Sequence, residues 1–443
     1  EWVRSVPRSW RVEPLKYHCS MFKGLPILKT DLVEEGEPVI SYGQIHSKGN
    51  TGTHLDDSLL RFIPASRVLG SESSKLRRGD VVFADTSEDV EGIGNAALID
   101  TDGDVYAGYH TVTCRPDQKS LSGRYLAYLA RTDAWRYQLR NLAMGVKVFS
   151  ITQAILRKSE VLLPPRDEQE RIADFLDERC AAIDAAAELI CRHTSSLELY
   201  RRSIIYETAT KGLNPRAPMK FSRAEWVRSV PRSWRVEPLK YHCSMFKGLP
   251  ILKTDLVEEG EPVISYGQIH SKGNTGTHLD DSLLRFIPAS RVLGSESSKL
   301  RRGDVVFADT SEDVEGIGNA ALIDTDGDVY AGYHTVTCRP DQKSLSGRYL
   351  AYLARTDAWR YQLRNLAMGV KVFSITQAIL RKSEVLLPPR DEQERIADFL
   401  DERCAAIDAV IDTKRRQLDV LKRRRQSLIY EYVTGKRRVS AKG

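Results

Sequence analysis

Residues 163–185 read LPPRDEQERIADFLDERCAAIDA, and the same letters return unchanged at 387–409. The pair of prolines disfavours a helix before it. The residues that follow predict a helix with Asp167 as its N-cap and two glutamates in its first turn, where the helix dipole favours negative charge. We therefore expect a long helix to start at the same point in both copies.

Apolar residues then recur at a spacing close to 3.5, which is typical of a coiled-coil seam rather than of a globular helix. Each helix is expected to extend over about 45 residues, or roughly 65–70 Å. The seam predicts helix-packing positions at Ile172, Leu176, Ile183, Ile190, Leu197 and Ile204 in the first copy and at Ile396, Leu400, Ile407, Leu421 and Leu428 in the second, with Tyr200 and Val410 on the same stripe.

The helices belong to a repeat that covers most of the chain. Glu1–Ala185 is identical to Glu225–Ala409, whereas the segments that follow each copy differ. We name the large segments that precede the two helices head 1 and head 2. The predicted order is head 1 at 1–165, a spacer helix at 166–211, a linker at 212–224, head 2 at 225–389, a second spacer helix at 390–435 and a basic tail at 436–443.

Composition narrows the class of protein. Each repeat is long enough to bury its own core, and no apolar run approaches the length of a membrane span. The seven cysteines include no C-x-x-C pair, which is typical of a reduced, cytoplasmic protein. The net charge of +6 comes from the helix tails at 186–224 and 410–443, so the heads do not resemble basic nucleic-acid binders in bulk.

Each head is predicted to be a strand-rich α+β domain. Pro38–Ile45 has the β-branched and aromatic content of a strand, and Gly79–Ala84 reads as a buried strand. Leu121–Asn141 has helical periodicity and is expected to form one helix.

Motifs for catalysis or for a cofactor are lacking. The chain has no phosphate-binding P-loop, and Gly92–Ala97 is only a fragment of a dinucleotide-binding fingerprint. His18 and Cys19 lack partners at metal-ligand spacing. The acidic residues from Asp80 to Glu91 are more typical of a solvated loop than of a catalytic cluster. We therefore predict no catalytic residue, no metal and no cofactor.

Loop side chains of the heads suit contact with DNA, because Gln and Asn can pair with adenine, and Lys and Arg with guanine or phosphate. The predicted DNA-binding residues are Tyr42, Gln44, Lys48, Asn50, Thr51, Ser87, Tyr109, His110, Arg140 and Lys147 in head 1, and Tyr266, Gln268, Lys272, Asn274, Thr275, Ser311, Tyr333, His334, Arg364 and Lys371 in head 2. The alternative is that these loops are only solvated, since no motif marks them.

Whole segments resemble the specificity (S, HsdS) subunit of type I restriction-modification systems. The resemblance covers nearly the entire chain and rests most on LPPRDEQERIADFLD at 163–177 and 387–401, YETATKGLNP at 206–215, MKFSRAEWVRSVPRSW at 219–234 and ADTSEDVEGIGNA at 84–96. It implies a non-catalytic subunit. It also implies two target recognition domains that alternate with two long antiparallel helices, which would dock methyltransferase (M) subunits. Restriction (R) subunits join through the complex.

The identical heads depart from the family's usual pattern of two different recognition domains. With antiparallel helices the heads would be related by a pseudo-twofold axis, and the target should share that symmetry. We therefore expect double-stranded DNA with an inverted-repeat split site, and two M subunits as partners. The basic residues Arg423, Arg424, Arg425, Lys436, Arg437 and Arg438 suit phosphate or an acidic partner surface, or equally a solvated helix face.

Two other interpretations stay open. One is a self-contained nuclease or modification enzyme, which predicts activity from the chain alone. The other is a coiled-coil adaptor whose heads bind protein, which predicts no sequence-dependent DNA binding.

Overall fold

The computed structural model describes residues 2–3, 5–53, 55–101, 103–145, 147–325, 327–369 and 371–439, so residues 440–443 of the predicted basic tail lie outside it. The contacts divide the chain into two compact units. Unit 1 is Glu1–Ile190 with Arg415–Gly443, and unit 2 is Cys191–Lys414. Each unit thus combines one head with the beginning of one long helix and the end of the other. No helix among the described residues is long and apolar enough to cross a membrane.

The two long helices are Arg166–Lys211, which we call spacer helix 1, and Arg390–Val433, spacer helix 2. The prediction that Asp167 is the N-cap was wrong, because helix 1 begins at Arg166 and Asp167 lies inside its first turn. There its carboxylate pairs with Arg171, one turn further on, and this bond together with backbone hydrogen bonds lowers the pKa of Asp167.

Head 1 is α+β, as predicted, and contains two main sheets. The first has the strand order Cys19–Lys23, Thr111–Pro116, Val81–Ala84 and Ala96–Leu98, all antiparallel. In the second, Glu37–Ile40 lies between Arg61–Ile63 and Tyr106–Ala107, antiparallel to the former and parallel to the latter. Two small antiparallel pairs complete the head: Arg11–Pro14 with Glu160–Leu163, and Thr86–Ser87 with Phe149–Ser150.

Among the described residues of head 1, four helices accompany these sheets. Their bounds are Tyr42–Ile45, Gly123–Ala130, Asp133–Arg140 and Gln153–Lys158. Short 3-10 turns lie at Leu15–Tyr17, Lys29–Asp31, Asp57–Leu59, Ala65–Arg67 and Glu72–Ser74. The core beneath them contains the fully buried Trp135, Tyr125 and Phe83.

Head 2 repeats this architecture. Its sheets have the strand orders Cys243–Lys247, Thr335–Pro340, Val305–Ala308, Ala320–Leu322, and Arg285–Ile287, Glu261–Ile264, Tyr330–Ala331. The small pairs are Arg235–Pro238 with Glu384–Leu387, and Thr310–Ser311 with Phe373–Ser374. The helices are Tyr266–Ile269, Gly347–Ala354, Asp357–Leu366 and Gln377–Lys382. Unit 2 also has a pair of strands, Met219–Phe221 and Ser229–Pro231.

Two predicted elements of the head differ in the structure. Pro38–Ile45 is not one strand, because the strand ends at Ile40 and a helical turn follows, where the Gln44 side chain accepts a hydrogen bond from the Ser41 backbone N–H. Leu121–Asn141 is not one helix either. The Thr132 hydroxyl caps a second helix by accepting from the Trp135 N–H at 3.3 Å.

The repeated motif LPPRDEQERIADFLD attaches each spacer helix to its head. The fully buried Gln169 accepts from the Ser122 N–H and donates to the carbonyls of Ser120 and Pro164. On the next turns Arg124 pairs with Asp174 and Asp177, and the Tyr128 hydroxyl donates to Asp177 at 2.6 Å. This polar attachment explains why the motif is richer in charge than a plain seam requires.

Within each unit the two helix segments are antiparallel. In unit 1 the ring of Phe175 lies 4.5 Å from that of Tyr432, and Asp184 accepts from Arg425 at 2.9 Å. Residue numbers therefore rise along one helix while the numbers of the residues they contact fall along the other. Unit 2 contains the equivalent ion pair, Arg201 with Asp408 at 3.1 Å, with the roles of the two helices exchanged.

The predicted seam is buried mainly where the helices meet the heads. Ile172, Leu176, Ile396 and Leu400 are buried in the head cores, and Ile407 is 8% exposed. The remaining predicted packing residues are half-buried: Ile183, Ile190, Leu197, Ile204, Leu421 and Leu428. Tyr200 and Val410 are 57% and 43% exposed, so their assignment to the seam was wrong.

Candidate nucleic-acid interface

A cluster of aromatic and histidine rings forms where two parallel strands leave the sheet. Val39 pairs with Tyr106 and Ile40 with Ala107 in parallel register, so the chain emerges from both strands at the same edge. Tyr42 follows the first strand and Tyr109 the second, and their ring centroids lie 5.6 Å apart at 69°. Burial, and then the neighbouring Tyr42, raise the pKa of Tyr109.

His110 completes this ring cluster in an unusual conformation. Its φ of +55° lies in the left-handed region, which costs free energy for a residue other than glycine. The imidazole lies 5.5 Å from Tyr42 by ring centroids, and its Nδ1 is 3.2 Å from the Asp85 carboxylate. The side chain nevertheless stays 54% exposed. His334 repeats the conformation and the contacts in head 2.

The loop after the buried strand Val81–Ala84 holds His46, whose ring packs against Tyr42 of the ring cluster. His46 Nε2 lies 2.8 Å from the Thr86 carbonyl, and its Nδ1 lies 2.9 Å from the Asn95 amide. The buried Ser87 hydroxyl donates to the backbone carbonyl of Asp89, and the side-chain carboxylate of Asp89 accepts from the Gly92 N–H. The segment 84–96 is therefore tied down by its own side chains.

Several predicted DNA-binding side chains are already occupied within the head. Asn50 is buried, donates to the carbonyls of Ile45 and Ala96 and accepts from the Gly52 N–H. Gln44 is bonded to the Ser41 N–H, and Arg140 donates to the carbonyls of Val90 and Glu91. The prediction that Asn50 and its equivalent Asn274 read bases finds no support in this geometry, and the same holds for the buried Ser87 and Ser311.

Other predicted residues remain at the surface. Tyr42, Tyr109 and His110 are brought together, Lys48 is exposed at the rim of a nearby cleft, and Thr51 is half-buried. Lys147 is exposed on a separate loop. Head 2 places Tyr266, Tyr333 and His334 in the same cluster and leaves Lys272 and Lys371 exposed.

Sequence reasoning missed the supporting residues His46, Asp85 and Asn95. The acidic residues considered as a catalytic group do not converge, since Asp80 pairs with Arg115 and Asp85 with His110. Among the described residues, no three His, Cys, Asp or Glu side chains are grouped to hold a metal ion.

Comparison with known proteins gives a consistent result. The model of the type I restriction modification DNA specificity domain matches residues 63–190 and 287–423. The StySPI specificity subunit of Salmonella potsdam is 21% identical over 91% of this chain and 84% of its own length. The putative MjaX specificity subunit of Methanocaldococcus jannaschii is 22% identical over 99% and 96%, and the EcoKI specificity subunit of Escherichia coli is 22% identical over 91% and 84%.

Solved structures share the fold at low identity. A chain from a structure of a type I R-M system aligns with a TM-score of 0.71 at 20% identity, covering 98% of this chain and all of its own. The HsdS subunit of Thermoanaerobacter tengcongensis aligns with a TM-score of 0.52, also at 20% identity, over 98% and 99%.

Proposed function

Because the chain belongs to the family of type I restriction-modification DNA specificity subunits, we propose that each head reads one half of a split DNA site and that the two halves form an inverted repeat. The chain is the specificity component and not the enzyme. DNA and the methyltransferase and restriction subunits of the system are its partners. Identical heads favour identical half-sites, and the exchange of helix roles between the units favours an inverted over a direct repeat.

The observation that carries this proposal is the ring cluster of Tyr42, Tyr109 and His110, which recurs in head 2 and in which the tyrosines are half-buried and the histidine is exposed. Its phenol and imidazole groups can exchange hydrogen bonds with base edges. The strained backbone at His110 is held by Asp85, and strain of this kind concentrates at functional sites.

We further propose that the spacer helices dock two methyltransferase subunits. Leu189, Leu199 and Val420 expose 62%, 64% and 60% of their surface on these helices, and large apolar side chains exposed on a rod suit a protein partner. Leu189→Asp and Val420→Asp should reduce co-purification of methyltransferase subunits, whereas Val90→Asp, an exposed apolar residue of head 1, should not. Equal loss from all three variants would contradict the docking proposal.

The test of DNA reading is selection from a random duplex pool with the chain in complex with its methyltransferase subunits. We expect a symmetric split motif, and we expect the paired variant His110→Ala/His334→Ala to lose enrichment at one or more positions in both halves. An asymmetric motif would contradict the inverted repeat. Failure of the parent chain to enrich any sequence would favour the protein-adaptor interpretation instead.

A further inference from the structure

A basic cleft in unit 1 lies between head 1 and spacer helix 2. It encloses about 950 Å³. Among the described residues, the acidic one in its lining is Asp133, and the cationic ones are Lys48, Arg131, Arg136, Lys422, Arg423 and Arg425. The position is close to the ring cluster, because His46 and Asn95, which support that cluster, also line the cleft.

Two of these arginines form no ion pair with a carboxylate among the described residues. Arg136 is 8% exposed, and its guanidinium donates to the backbone carbonyls of Ala130 and Glu91. Arg131 is half-buried against the backbone of Gly52, and its guanidinium has no hydrogen bond within the described part of the chain. Burial, and then the charge of Arg425, lower the pKa of Arg131, while burial and then Arg131 and Arg140 lower that of Arg136. An anion in the cleft would relieve this unfavourable concentration of positive charge.

Unit 2 contains the equivalent cleft, of about 870 Å³, with Arg355 and Arg360 in place of Arg131 and Arg136. Its head wall is identical in sequence, but its helix wall is not. Positions 422–426 of spacer helix 2 read KRRRQ, whereas the equivalent positions 198–202 of spacer helix 1 read ELYRR. Of these positions, Lys422, Arg423 and Arg425 line the cleft of unit 1, whereas Arg202 is the residue of the equivalent stretch that lines the cleft of unit 2. The helix wall of unit 1 therefore contributes more positive charge to its cleft.

We propose that each cleft binds a backbone phosphate of the DNA half-site and that the cleft of unit 1 binds it more tightly than the cleft of unit 2. The inference rests on the proposed function, since it assumes that the heads engage DNA. It implies that two identical heads hold two identical half-sites with unequal strength, because counterion release grows with the cations that meet phosphate.

The repeat supplies a matched pair of variants, Arg131→Gln and Arg355→Gln. Binding to an inverted-repeat duplex would be measured by fluorescence anisotropy with the methyltransferase complex between 50 and 200 mM salt. Affinity falls as salt rises, and loss of one phosphate contact reduces the magnitude of the slope of log affinity against log salt, which we call the salt slope, by about 0.9. We expect Arg131→Gln to weaken binding and lower the slope more than Arg355→Gln does.

Exchange of the helix walls tests the cause of the inequality. Lys422→Glu/Arg423→Leu gives spacer helix 2 the residues of helix 1, and Glu198→Lys/Leu199→Arg does the reverse. All four side chains are exposed, so the fold should tolerate both changes. The first variant should weaken DNA binding and lower the salt slope, and the second should strengthen binding and raise it. Retention of methyltransferase subunits by the first variant is the control for assembly, and the second variant is compared with Leu199→Arg alone, because Leu199 belongs to the proposed docking surface.

Equal losses from Arg131→Gln and Arg355→Gln would overturn the inequality. No loss from either variant, while the parent chain remains sequence-specific, would overturn the phosphate site and leave the proposed function standing. If the parent chain shows no sequence preference but Arg131→Gln still lowers the salt slope more, half-site reading fails and the phosphate site stands. Loss of methyltransferase subunits from Lys422→Glu/Arg423→Leu would assign the charged wall to the protein partner and overturn the proposal.

Discussion

The two units contain the same head but meet different helix ends. The ring cluster is reproduced closely, with Tyr42 and Tyr109 at 5.6 Å and Tyr266 and Tyr333 also at 5.6 Å. The surroundings of the glutamate in the first turn of each spacer helix differ between the units. The Glu168 carboxylate accepts from Arg438 and from the Trp10 indole, whereas the hydrogen bond found for Glu392 is from the indole of Trp234. The geometry of a head is therefore set by its own sequence, and its electrostatic environment by the helix end that packs against it.

The largest expected effect tests whether the head cores are equivalent. Trp135 and Trp359 are fully buried, and each indole donates to a backbone carbonyl at 2.9 Å. Either substitution by alanine should cost roughly 3–5 kcal/mol, and the two costs should agree. Hydrogen exchange can measure the stability of each unit by itself. Peptides from 191–211 report on unit 2 and peptides from 415–433 report on unit 1, because these segments differ in sequence. Trp135→Ala should loosen the latter and Trp359→Ala the former. A clear inequality between the two costs would show that the helix ends also alter head packing.

A smaller change in stability should distinguish unit 1 from unit 2. Glu168→Gln removes the charge that faces Arg438, and we expect a cost of about 1.5 kcal/mol, at the low end for charged hydrogen bonds since Arg438 is half exposed. Glu392→Gln should cost less, because its bonded partner is a neutral indole. The measurement is again exchange in the unique helix-tail peptides. Equal costs would mean that the Arg438 contact adds nothing to unit 1.

The pairing of Arg438 with Glu168 also bears on the basic tail. The Arg438 side chain was expected to suit phosphate, an acidic partner or solvent. In this structure it forms an ion pair with Glu168 at 2.8 Å within unit 1. Lys436 instead lies over the ring of Tyr430, with its ammonium 4.3 Å from the ring centroid. A run of basic letters does not reveal which of its members is already neutralised.

The long helices were predictable because prolines, acidic first turns and apolar spacing are local signals. The helical turn at Tyr42–Ile45 was missed although a local signal existed, since Ser41 and Gln44 have the spacing of a capping box. Thr132 likewise marks the break between two helices that were predicted as one.

The candidate site was less predictable because it depends on distant contacts. Asn50 and Lys48 are both polar loop residues, but only the packing of Ile45 and Ala96 around Asn50 shows that its amide is occupied. Arg131 and Arg425 are far apart in sequence and line one cleft only after spacer helix 2 packs against head 1. No local pattern in either segment carries that information.

A backbone change can sharpen the comparison of the clefts. Gly52 and Gly276 both have a φ of +85°, so alanine at either position should cost about 1 kcal/mol in strain. A Cβ at Gly52 would lie 2.2 Å from Arg131 Cδ, whereas at Gly276 the nearest atom, Arg355 Nη1, is 2.8 Å away. Gly52→Ala should therefore displace its arginine further and weaken DNA affinity more. Anisotropy titrations at fixed salt would measure this, and a larger loss from Gly276→Ala would contradict the assignment of unit 1 as the stronger phosphate site.

The smallest expected effect concerns Cys191, the one cysteine outside the repeat, whose equivalent position in unit 1 is Arg415. Cys191 is exposed, Cys19 is partly exposed and the other five cysteines are buried. Cys191→Ser should change stability by less than about 0.5 kcal/mol. Under native conditions a thiol reagent should react with the parent chain in one fast phase, which this variant should lose. A fast phase that persists in the variant would have to come from Cys19, because its equivalent Cys243 is only 7% exposed. In that event the heads themselves, and not only the helix ends beside them, would differ between the units.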